Sequence, residues 1–283
     1  MISLPGQGPH FEPPSLATSD PLTTTRILAW NIRAGGGVRI EGIFDQILRW
    51  RPTIIVLEEF RHTAPSRTLA QSLAEAGWPH QRATTDPKTP ARNGLLVASQ
   101  HHLRRAPLRQ PTPDPDRWLA THTASGHRIS VAALHIPNRS SGRKSKFLSE
   151  ALAVACRWRP GPALIVGDTN SGRIGIDEEA SAFNRREDRW MRSMEAAGWR
   201  DAFRLLHGDR REFTGYSPNG RNGFRLDQAF LNPQLQSRLR RVQHIWGASS
   251  SAHAARREAL SDHAALLLDF APPRVTPLRA RYS

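Results

Sequence analysis

Six short segments of this sequence end or interrupt an apolar run with an acid, an amide or an imidazole. An isolated acid after a strand usually caps a helix or forms a turn. Six such placements, nearly all at the C-terminal ends of apolar runs where sheet edges commonly form ligand sites, instead predict one polar pocket. The segments are AWNI with Asn31, VLEEF with Glu58 and Glu59, ALHIPN with His135 and Asn138, VGDTN with Asp168 and Asn170, RLDQ with Asp227, and LSDH with Asp262 and His263.

A pocket with several carboxylates favours metal-assisted chemistry. Carboxylates held close together repel one another unless a cation shares the site, and hard oxygen ligands favour Mg²⁺, with Mn²⁺ as the alternative, over zinc. The chain has one cysteine and no HExxH motif, so nothing in it supports zinc. Carboxylates, imidazoles and amides around a hard cation fit hydrolysis of a phosphoester. The Gly-rich RAGGGV (33–38) lacks the ending of a nucleotide-binding P-loop and is interpreted as a flexible turn beside Asn31.

Strand-like and helix-like segments alternate along the chain, which predicts an α/β domain whose sheets are covered by helices. The apolar strand-like runs are 26–32, 53–59, 94–99, 128–136, 163–168, 225–231 and 264–270. The segments with helical periodicity are 43–50, 66–77, 145–158 and 188–199.

Length and composition predict one large globular domain. The chain has 283 residues, of which 38% are hydrophobic, and this is enough for a substantial core. We expect a Pro/Ser/Thr-rich tail over 1–24, a catalytic domain over 25–272 and a basic tail over 273–283. The segment before residue 26 lacks the pattern of a signal peptide, and no apolar run approaches the length of a membrane span. A cytoplasmic protein is therefore expected, with the lone Cys156 as a small core residue in a reducing compartment.

The charge balance indicates a polyanionic partner. Lys and Arg number 40 against 25 Asp and Glu, a net charge of +15, which fits nucleic acid or an acidic membrane surface. Nearly all of the basic residues are arginine, so the coding habits of the source genome are an alternative explanation.

The ordered motifs WNI, LEE, LHIPN, GDTN, GFRLDQAFL and SDH resemble the endonuclease/exonuclease/phosphatase superfamily. They run from Asn31 to His263 and cover nearly all of the chain after the first tail. The resemblance implies a four-layer α/β sandwich, in which two mainly antiparallel sheets pack face to face between helices. It also implies an active site at one edge of the sheets.

The resemblance further implies a role for each motif residue. Glu59 would be the principal metal ligand and Glu58 would support it from outside the coordination sphere, while Asn31 and Asp262 would complete the metal environment. Asp168 would orient or deprotonate the attacking water, and Asn170 would hold the phosphate. His263 would contact or protonate the phosphate, with Asp227 fixing its tautomer. A turn-forming role for Asn31 and a simple pairing of Asp227 with Arg225 are the alternatives.

The sequence resembles two branches of the superfamily. PN at 137–138 and the segment around RLD are similar to the exonuclease III and abasic-site endonuclease branch, in which an aromatic residue at the position of Phe224 lines the abasic pocket. His135 instead resembles a histidine of the pancreatic-type deoxyribonuclease branch, where it contacts the phosphate; a core histidine is the alternative. Arg33 also departs from the abasic endonucleases, so both abasic-site and general cleavage are retained as hypotheses.

Substrate recognition is predicted at basic loops outside the pocket. The loops 61–68, 138–146 and 170–175 carry Arg or Lys and could bind phosphates that flank the cut, with Asn138 and Arg143 as candidates. Trp118 could stack on a base. The expected partner is nucleic acid, DNA rather than RNA, without stable membrane association or an obligate protein partner. The alternatives are a phosphodiesterase or phosphatase for a lipid or small phosphoester, and a non-catalytic nucleic-acid-binding module.

Overall fold

The computed structural model of the protein describes residues 24–106, 114–123, 128–159, 161–247 and 259–273. Both expected tails lie outside these ranges except for one residue each. The strands are β1 Thr25–Asn31, β2 Ile54–Phe60, β3 His80–Ala83, β4 Gly94–Ser99, β5 Leu103–Arg105, β6 Trp118–Thr123, β7 Ser130–His135, β8 Ala163–Asp168, β9 Arg200–Asp201, β10 Gly215–Tyr216, β11 Gly223–Phe224, β12 Asp227–Leu231, β13 Leu239–Ile245 and β14 Ala265–Phe270. The helices are α1 Ile40–Trp50, α2 Ala64–Glu75, α3 Lys144–Arg157, α4 Arg185–Ala196, α5 Ala202–His207 and α6 Pro233–Gln236.

The strands form two six-stranded sheets. The first has the order β13-β14-β1-β2-β4-β3, and the second has the order β5-β6-β7-β8-β12-β9. In each sheet a single pair is parallel, β1 with β2 and β7 with β8, while the other pairs are antiparallel. Two mainly antiparallel sheets were expected from the family resemblance, and the structure confirms them.

The two sheets pack face to face and helices cover their outer faces. Alternate residues of β1 and β8, such as Ile27 and Val166, meet in a core cluster between the sheets. The opposite face of the first sheet packs on α1 and α2, and that of the second packs on α3 and α4. Because side chains of a strand alternate between its two faces, apolar runs without polar alternation are what a strand buried on both sides requires. The molecule therefore has four layers.

Local sequence signals account for the helices. In α1 the apolar residues Ile43, Ile47 and Trp50 recur at helical spacing and are buried against the first sheet. The helix α4 begins with a capping box, in which Asn184 and Glu187 each accept the backbone N–H of the other. Cys156 lies on α3 but is exposed, so its expected place in the core is wrong. The apolar residues on the face of α3 that packs inward are Phe147, Leu148, Ala151, Val154 and Ala155.

Within the described ranges, no helix combines the length and the apolar character needed to cross a bilayer.

A small two-stranded ribbon, β10 with β11, stands apart from both sheets and precedes β12 directly. It places residues 215–224 next to the start of β14, because a side chain added at Gly215 would lie 3.7 Å from Cε1 of His263.

Candidate active site

The ends of the two parallel strand pairs bring the polar motifs together. Asn31 lies beside Glu58 in the register of β1 and β2, and His135 lies beside Asp168 in the register of β7 and β8. Asp227 begins β12 directly opposite Asp168. The two sheets are joined at this point by a hydrogen bond of 3.3 Å from Asn31 Nδ2 to Asp168 Oδ2. The polar pocket that the motifs predict is thus assembled by both sheets.

Asp168 lies at the centre of the cluster and is buried. Its carboxylate also accepts hydrogen bonds from Asn170, from the backbone N–H at 2.8 Å and from Nδ2 at 3.2 Å. Burial raises the pKa of Asp168 to about 6; the charge of His263 opposes this rise, and the carboxylate of Asp227 adds to it. A carboxylate with a pKa near neutrality is suited to exchange a proton with a substrate or with water.

His263 is held between two carboxylates. Its Nδ1 donates to Asp227 Oδ2 at 2.9 Å, and its Nε2 lies 3.9 Å from Asp168 Oδ2. Burial alone would lower the pKa of His263, but the carboxylates of Asp227 and Asp168 outweigh it and raise the pKa to about 10. The ring is therefore positively charged at neutral pH when no other cation is near. The hydrogen bond to Asp227 fixes the orientation of the ring.

His135 lies near the same carboxylate oxygen of Asp168 as His263 does. Its Nε2 lies 3.5 Å from Asp168 Oδ2, and the side chain is buried at the end of β7. Burial, and then the positive charges of Arg117 and His263, lower the pKa of His135 well below its ordinary value. His135 is therefore neutral where His263 is charged, so the two imidazoles have different chemical capacities.

Glu58 has the least satisfied side chain of the cluster. The residue is 1% exposed, and both of its carboxylate oxygens are buried without a hydrogen-bond partner. Burial, and then the charges of Asp227 and Asp168, raise the pKa of Glu58 well above its ordinary value. Gly167 makes room for this carboxylate, because a Cβ there would lie 2.9 Å from Glu58 Oε1. A buried carboxylate of this kind is stabilised by a proton or by a cation.

Glu59 does not point into the cluster. Its backbone is left-handed, with φ of 56°, and its carboxylate accepts the N–H of Ala34 at 2.7 Å. Together with the Glu59 carbonyl, which accepts from Gly35 N, it holds five successive left-handed residues, 33–37. The resemblance implies Glu59 as the principal metal ligand, whereas the structure turns its carboxylate toward Ala34 at the strand irregularity and buries that of Glu58 in the cluster. The metal-binding role of either glutamate stays a prediction.

Asp262 lies at the rim of the cluster. Its side chain is 56% exposed, and its carboxylate is 3.6 Å from Nε of Arg33. The neighbouring Ser261 donates to the carbonyl of Asn31 at 2.6 Å, which ties the SDH segment to the end of β1. The structure therefore brings Asp262 near the site and pairs it with Arg33, the residue at which this sequence departs from the abasic endonucleases.

The donor set suits a hard divalent cation. Glu58 offers two unpartnered oxygens, and Asn31 lies beside it in register, with an amide oxygen that accepts the backbone N–H of Arg33 at 3.0 Å. All of these donors are oxygens, which Mg²⁺ and Mn²⁺ prefer. In the part of the chain that the structure describes, no three His, Cys, Asp or Glu side chains are already close enough to form a preformed metal centre.

Comparison with known families identifies this arrangement. The model of the endonuclease/exonuclease/phosphatase family matches residues 28–263, which include every motif residue of the cluster. The chain belongs to the endonuclease/exonuclease/phosphatase family. It is accordingly a hydrolase of phosphoester bonds. No curated protein sequence gives a match.

Solved structures of the endonuclease/exonuclease/phosphatase fold superpose on most of the chain. An AP endonuclease from Archaeoglobus fulgidus has 18% identity and a TM-score of 0.71, covering 87% of this chain and 99% of its own. A 3′ phosphatase, NExo, from Neisseria bound to product DNA hairpin has 20% identity and a TM-score of 0.69, with 87% and 99% covered. A 3′-5′ exonuclease (NExo) from Neisseria meningitidis has 20% identity and a TM-score of 0.70, with 87% and 100% covered. At these identities the likeness establishes the fold.

The residues expected to bind substrate lie around this family's catalytic edge rather than in the cluster. Asn138 is exposed and caps a short 3₁₀ turn, where its Oδ1 accepts from Ser140. Phe224 is half-buried on β11 and packs edge-on against Phe183 at 5.7 Å. Trp118, expected to stack on a base, is instead fully buried in the core, and this expectation is wrong.

Arg143 is engaged by a buried acid. Its Nη1 lies 2.9 Å from Asp114 Oδ2, and the same carboxylate also pairs with Arg92 and Arg117. Arg92 and Arg143 remain half-exposed, so their outer donors are still available at the surface. Arg117 connects this group to the cluster, because it donates to the carbonyl of His135 at 3.4 Å.

Two residues that organise the site were not expected from the sequence. Thr214 accepts the backbone N–H groups of Leu226 and Asp227 on its hydroxyl and so fixes the start of β12. Lys144, expected in a basic surface loop, is buried and donates to Glu187 and to the carbonyl of Asn170. These contacts join segments distant in sequence, and no local pattern indicates them.

Proposed function

We propose that the protein is a divalent-metal-dependent phosphodiesterase that cuts DNA and acts in repair at abasic sites. The observation that carries the proposal is the pair of unpartnered oxygens of Glu58, buried beside Asp168 and the His263–Asp227 pair. A cation at Glu58 would offset the burial of this charge and would neutralise charge on a phosphate. The AP endonuclease, 3′ phosphatase and 3′-5′ exonuclease of the same fold support DNA as the substrate.

Each residue of the cluster has a separate task in this proposal. Asp168, with its pKa near 6, orients the attacking water and takes its proton. His263, charged and fixed by Asp227, donates to the phosphate as negative charge develops on it. His135 is neutral and would donate a second hydrogen bond to the phosphate. Glu58 would hold the metal, which is Mg²⁺ or Mn²⁺, together with Asn31.

The surroundings of the cluster suit a duplex. Arg92 and Arg143 present half-exposed guanidinium groups near His135, and Arg33 lies at the opposite rim beside Asp262. Guanidinium groups bind backbone phosphates without regard to base sequence. Phe224, on the ribbon next to His263, would occupy the gap left by a missing base. In this proposal the arginines and Phe224 bind the DNA, and the catalytic cluster cleaves the phosphodiester bond.

The proposal is tested with an end-labelled duplex that carries one abasic analogue. Wild type and Asp168→Asn are incubated with the duplex in Mg²⁺ or in EDTA, and product lengths are measured on a denaturing gel. We expect one Mg²⁺-dependent cut at the lesion by wild type, and no cut by Asp168→Asn although it still binds the duplex. A ladder over undamaged positions would replace abasic specificity by general nuclease activity. Hydrolysis of phospholipid or of a small phosphoester without any DNA cleavage would refute the proposal.

A further inference from the structure

A buried carboxylate outside the catalytic cluster connects three segments of the site. Glu187 lies in the first turn of α4 and is 1% exposed. It accepts hydrogen bonds from Arg139 Nε at 2.9 Å, from Arg139 Nη2 at 2.5 Å, from Lys144 Nζ, and from the backbone N–H of Asn184 at 2.9 Å. Arg139 follows Asn138, and Lys144 begins α3. One carboxylate on α4 thus fixes the loop after β7 and the start of α3.

The contact continues from Lys144 to the catalytic edge. Nζ of Lys144 also donates to the carbonyl oxygen of Asn170. Asn170 has a left-handed backbone with φ of 45°, a conformation that asparagine adopts more readily than most residues other than glycine. Its backbone N–H donates to Asp168 Oδ1 at 2.8 Å, and its Nδ2 donates to Ile136 O at 2.9 Å. An ordered path of hydrogen bonds therefore runs from Glu187 through Lys144 and Asn170 to Asp168.

The charges on this path are complementary. Burial alone would raise the pKa of Glu187, but hydrogen bonds from Arg139 and Lys144 hold it below its ordinary value. Burial lowers the pKa of Lys144, and its hydrogen bond with Glu187 opposes this. A buried ion pair adds little stability compared with an apolar pair of equal volume, whereas removal of one partner is costly. The ion pair instead orients the Lys144 ammonium group so that it donates to the carbonyl oxygen of Asn170.

We propose that Glu187 and Lys144 are positioning residues that hold Asn170 in its left-handed conformation and thereby orient the carboxylate of Asp168 for the reaction. Neither residue touches the reacting atoms in this proposal. The inference rests on the proposed phosphodiesterase function, since its consequence is measured as turnover. In this proposal the helix α4, in the outer layer of the fold, affects the rate of the chemical step through Lys144 and Asn170.

The first test compares two changes of the same chemistry on one helix. Glu187→Gln removes the buried charge, and Glu195→Gln is the matched control at an exposed position of α4. We expect the kcat of Glu187→Gln on the abasic duplex to fall 10- to 100-fold, as is usual when a group that orients a catalytic residue is lost. KM should change less than threefold, because Arg92 and Arg143 keep their ion pairs with Asp114. Glu195→Gln should match wild type in both constants.

A second variant separates positioning from mere stabilisation. Glu187→Gln leaves the Lys144 ammonium buried without its carboxylate, so its thermal midpoint should fall. The double variant Glu187→Gln/Lys144→Met removes both charges and should regain much of the thermal midpoint while its kcat stays low, because Asn170 still lacks its donor. Recovery of kcat together with the thermal midpoint would show a merely structural role and would overturn the inference.

The outcomes for wild type keep the two proposals distinguishable. If wild type cleaves the duplex and Glu187→Gln has an unchanged kcat, the inference fails and the proposed function stands. If wild type hydrolyses no phosphodiester with Mg²⁺ or Mn²⁺, the proposed function fails and the inference fails with it.

Discussion

At the scale of single residues, the position of Glu58 shows how a site can be prepared for a cation. Moving a carboxylate from water into the protein interior costs several kcal/mol of free energy unless a partner compensates its charge. Among the described residues Glu58 has no such partner for either oxygen, and the nearby Asp168 and Asp227 carry the same charge. The protein therefore folds with an electrostatic cost at this point that a divalent cation would remove.

The two adjacent glutamates give a direct prediction. Glu58→Gln should lower kcat on the abasic duplex by about 100-fold or more, because a neutral amide is a poorer ligand for Mg²⁺. Glu59→Gln should retain kcat within about tenfold, since a Gln oxygen can still accept from Ala34 N–H. Steady-state kinetics measure both variants. Thermal unfolding with and without Mg²⁺ is the second measurement: the metal should stabilise wild type and Glu59→Gln, but not Glu58→Gln. Equal losses in the two variants would contradict the assignment.

The sequence predicts which segments form the site better than it predicts which of two neighbours faces it. Asp168, Asp227 and His263 follow recognisable motifs and meet as expected. The choice between Glu58 and Glu59 depends on strand register, since neighbouring residues point to opposite faces. The preceding residues of β2, 54–57, are all apolar and buried on both faces, so they carry no alternation from which the register could be derived. The strand irregularity at Glu59 also changes the direction of its side chain, and no local sequence pattern predicts this irregularity.

At the scale of elements, the close approach of β7 and β8 depends on one glycine. Gly167 has a φ of 140°, and a Cβ there would overlap the carbonyl oxygen of Leu134. Gly167→Ala should therefore destabilise the protein by about 3 kcal/mol or more, through backbone strain and overpacking together. Gly175→Ala is the control, because its φ is also positive, 83°, but no atom lies within 4 Å of the added group. Denaturant unfolding measures both, and equal effects would show that the φ alone decides.

The loop before the small ribbon is attached to β13 by an acid and an imidazole, and this attachment predicts a pH dependence. His244 Nδ1 lies 2.9 Å from Glu212 Oε1, and His244 Nε2 lies 3.1 Å from the carbonyl of Asp227. Burial alone would raise the pKa of Glu212, but the hydrogen bond and charge of His244 hold it below the ordinary value of 4.5. A lowered pKa in the folded state adds stability above the unfolded-state pKa, and this stability is lost as pH falls through the folded-state value.

The difference in unfolding free energy between wild type and Glu212→Gln should thus be present at pH values above the ordinary Glu pKa of 4.5. It should shrink as the pH falls below the ordinary value of 4.5. Urea unfolding at a series of pH values measures this difference. Asp209→Asn, an exposed position of the same loop, should show no such change. A difference that grew on acidification would mean that the pKa of Glu212 is raised rather than lowered.

Most strands buried on both sides were predictable, and those at the sheet edges were not. The exception is β6, which lies inside the second sheet and is largely buried but was not predicted. All seven apolar runs form strands, and the four helical segments form α1 to α4 within a few residues. The missed strands include β3, β5 and β13, which lie at sheet edges and carry several exposed or half-buried residues. Their residues are polar because one side faces solvent, so they resemble loops in sequence. The pairing of two sheets was implied by the family resemblance and not by these patterns.

At the scale of the whole molecule, the net charge of +15 predicts how duplex binding responds to salt. Neutralisation of phosphates releases condensed counterions, so the logarithm of the binding constant falls linearly with the logarithm of salt concentration. Three or four guanidinium contacts, including Arg92 and Arg143, would give a slope of about −3. Fluorescence anisotropy with the Asp168→Asn variant measures it without cleavage. A slope near zero would exclude phosphate binding as the main source of affinity.

The first and last strands of the described domain are neighbours, and their pairing bears on how the chain can be rearranged. Thr25 pairs with Phe270, and the ion pair of Arg26 with Asp269 clips the two strands together. Asn31 and His263 lie at the other end of these strands, about 20 Å away at the usual rise of a strand. The domain could therefore be circularly permuted with a short linker between residues 270 and 25. New ends opened in an exposed loop would leave the catalytic edge intact, and a fusion partner attached at residue 25 or 270 would lie at the end of these strands away from that edge.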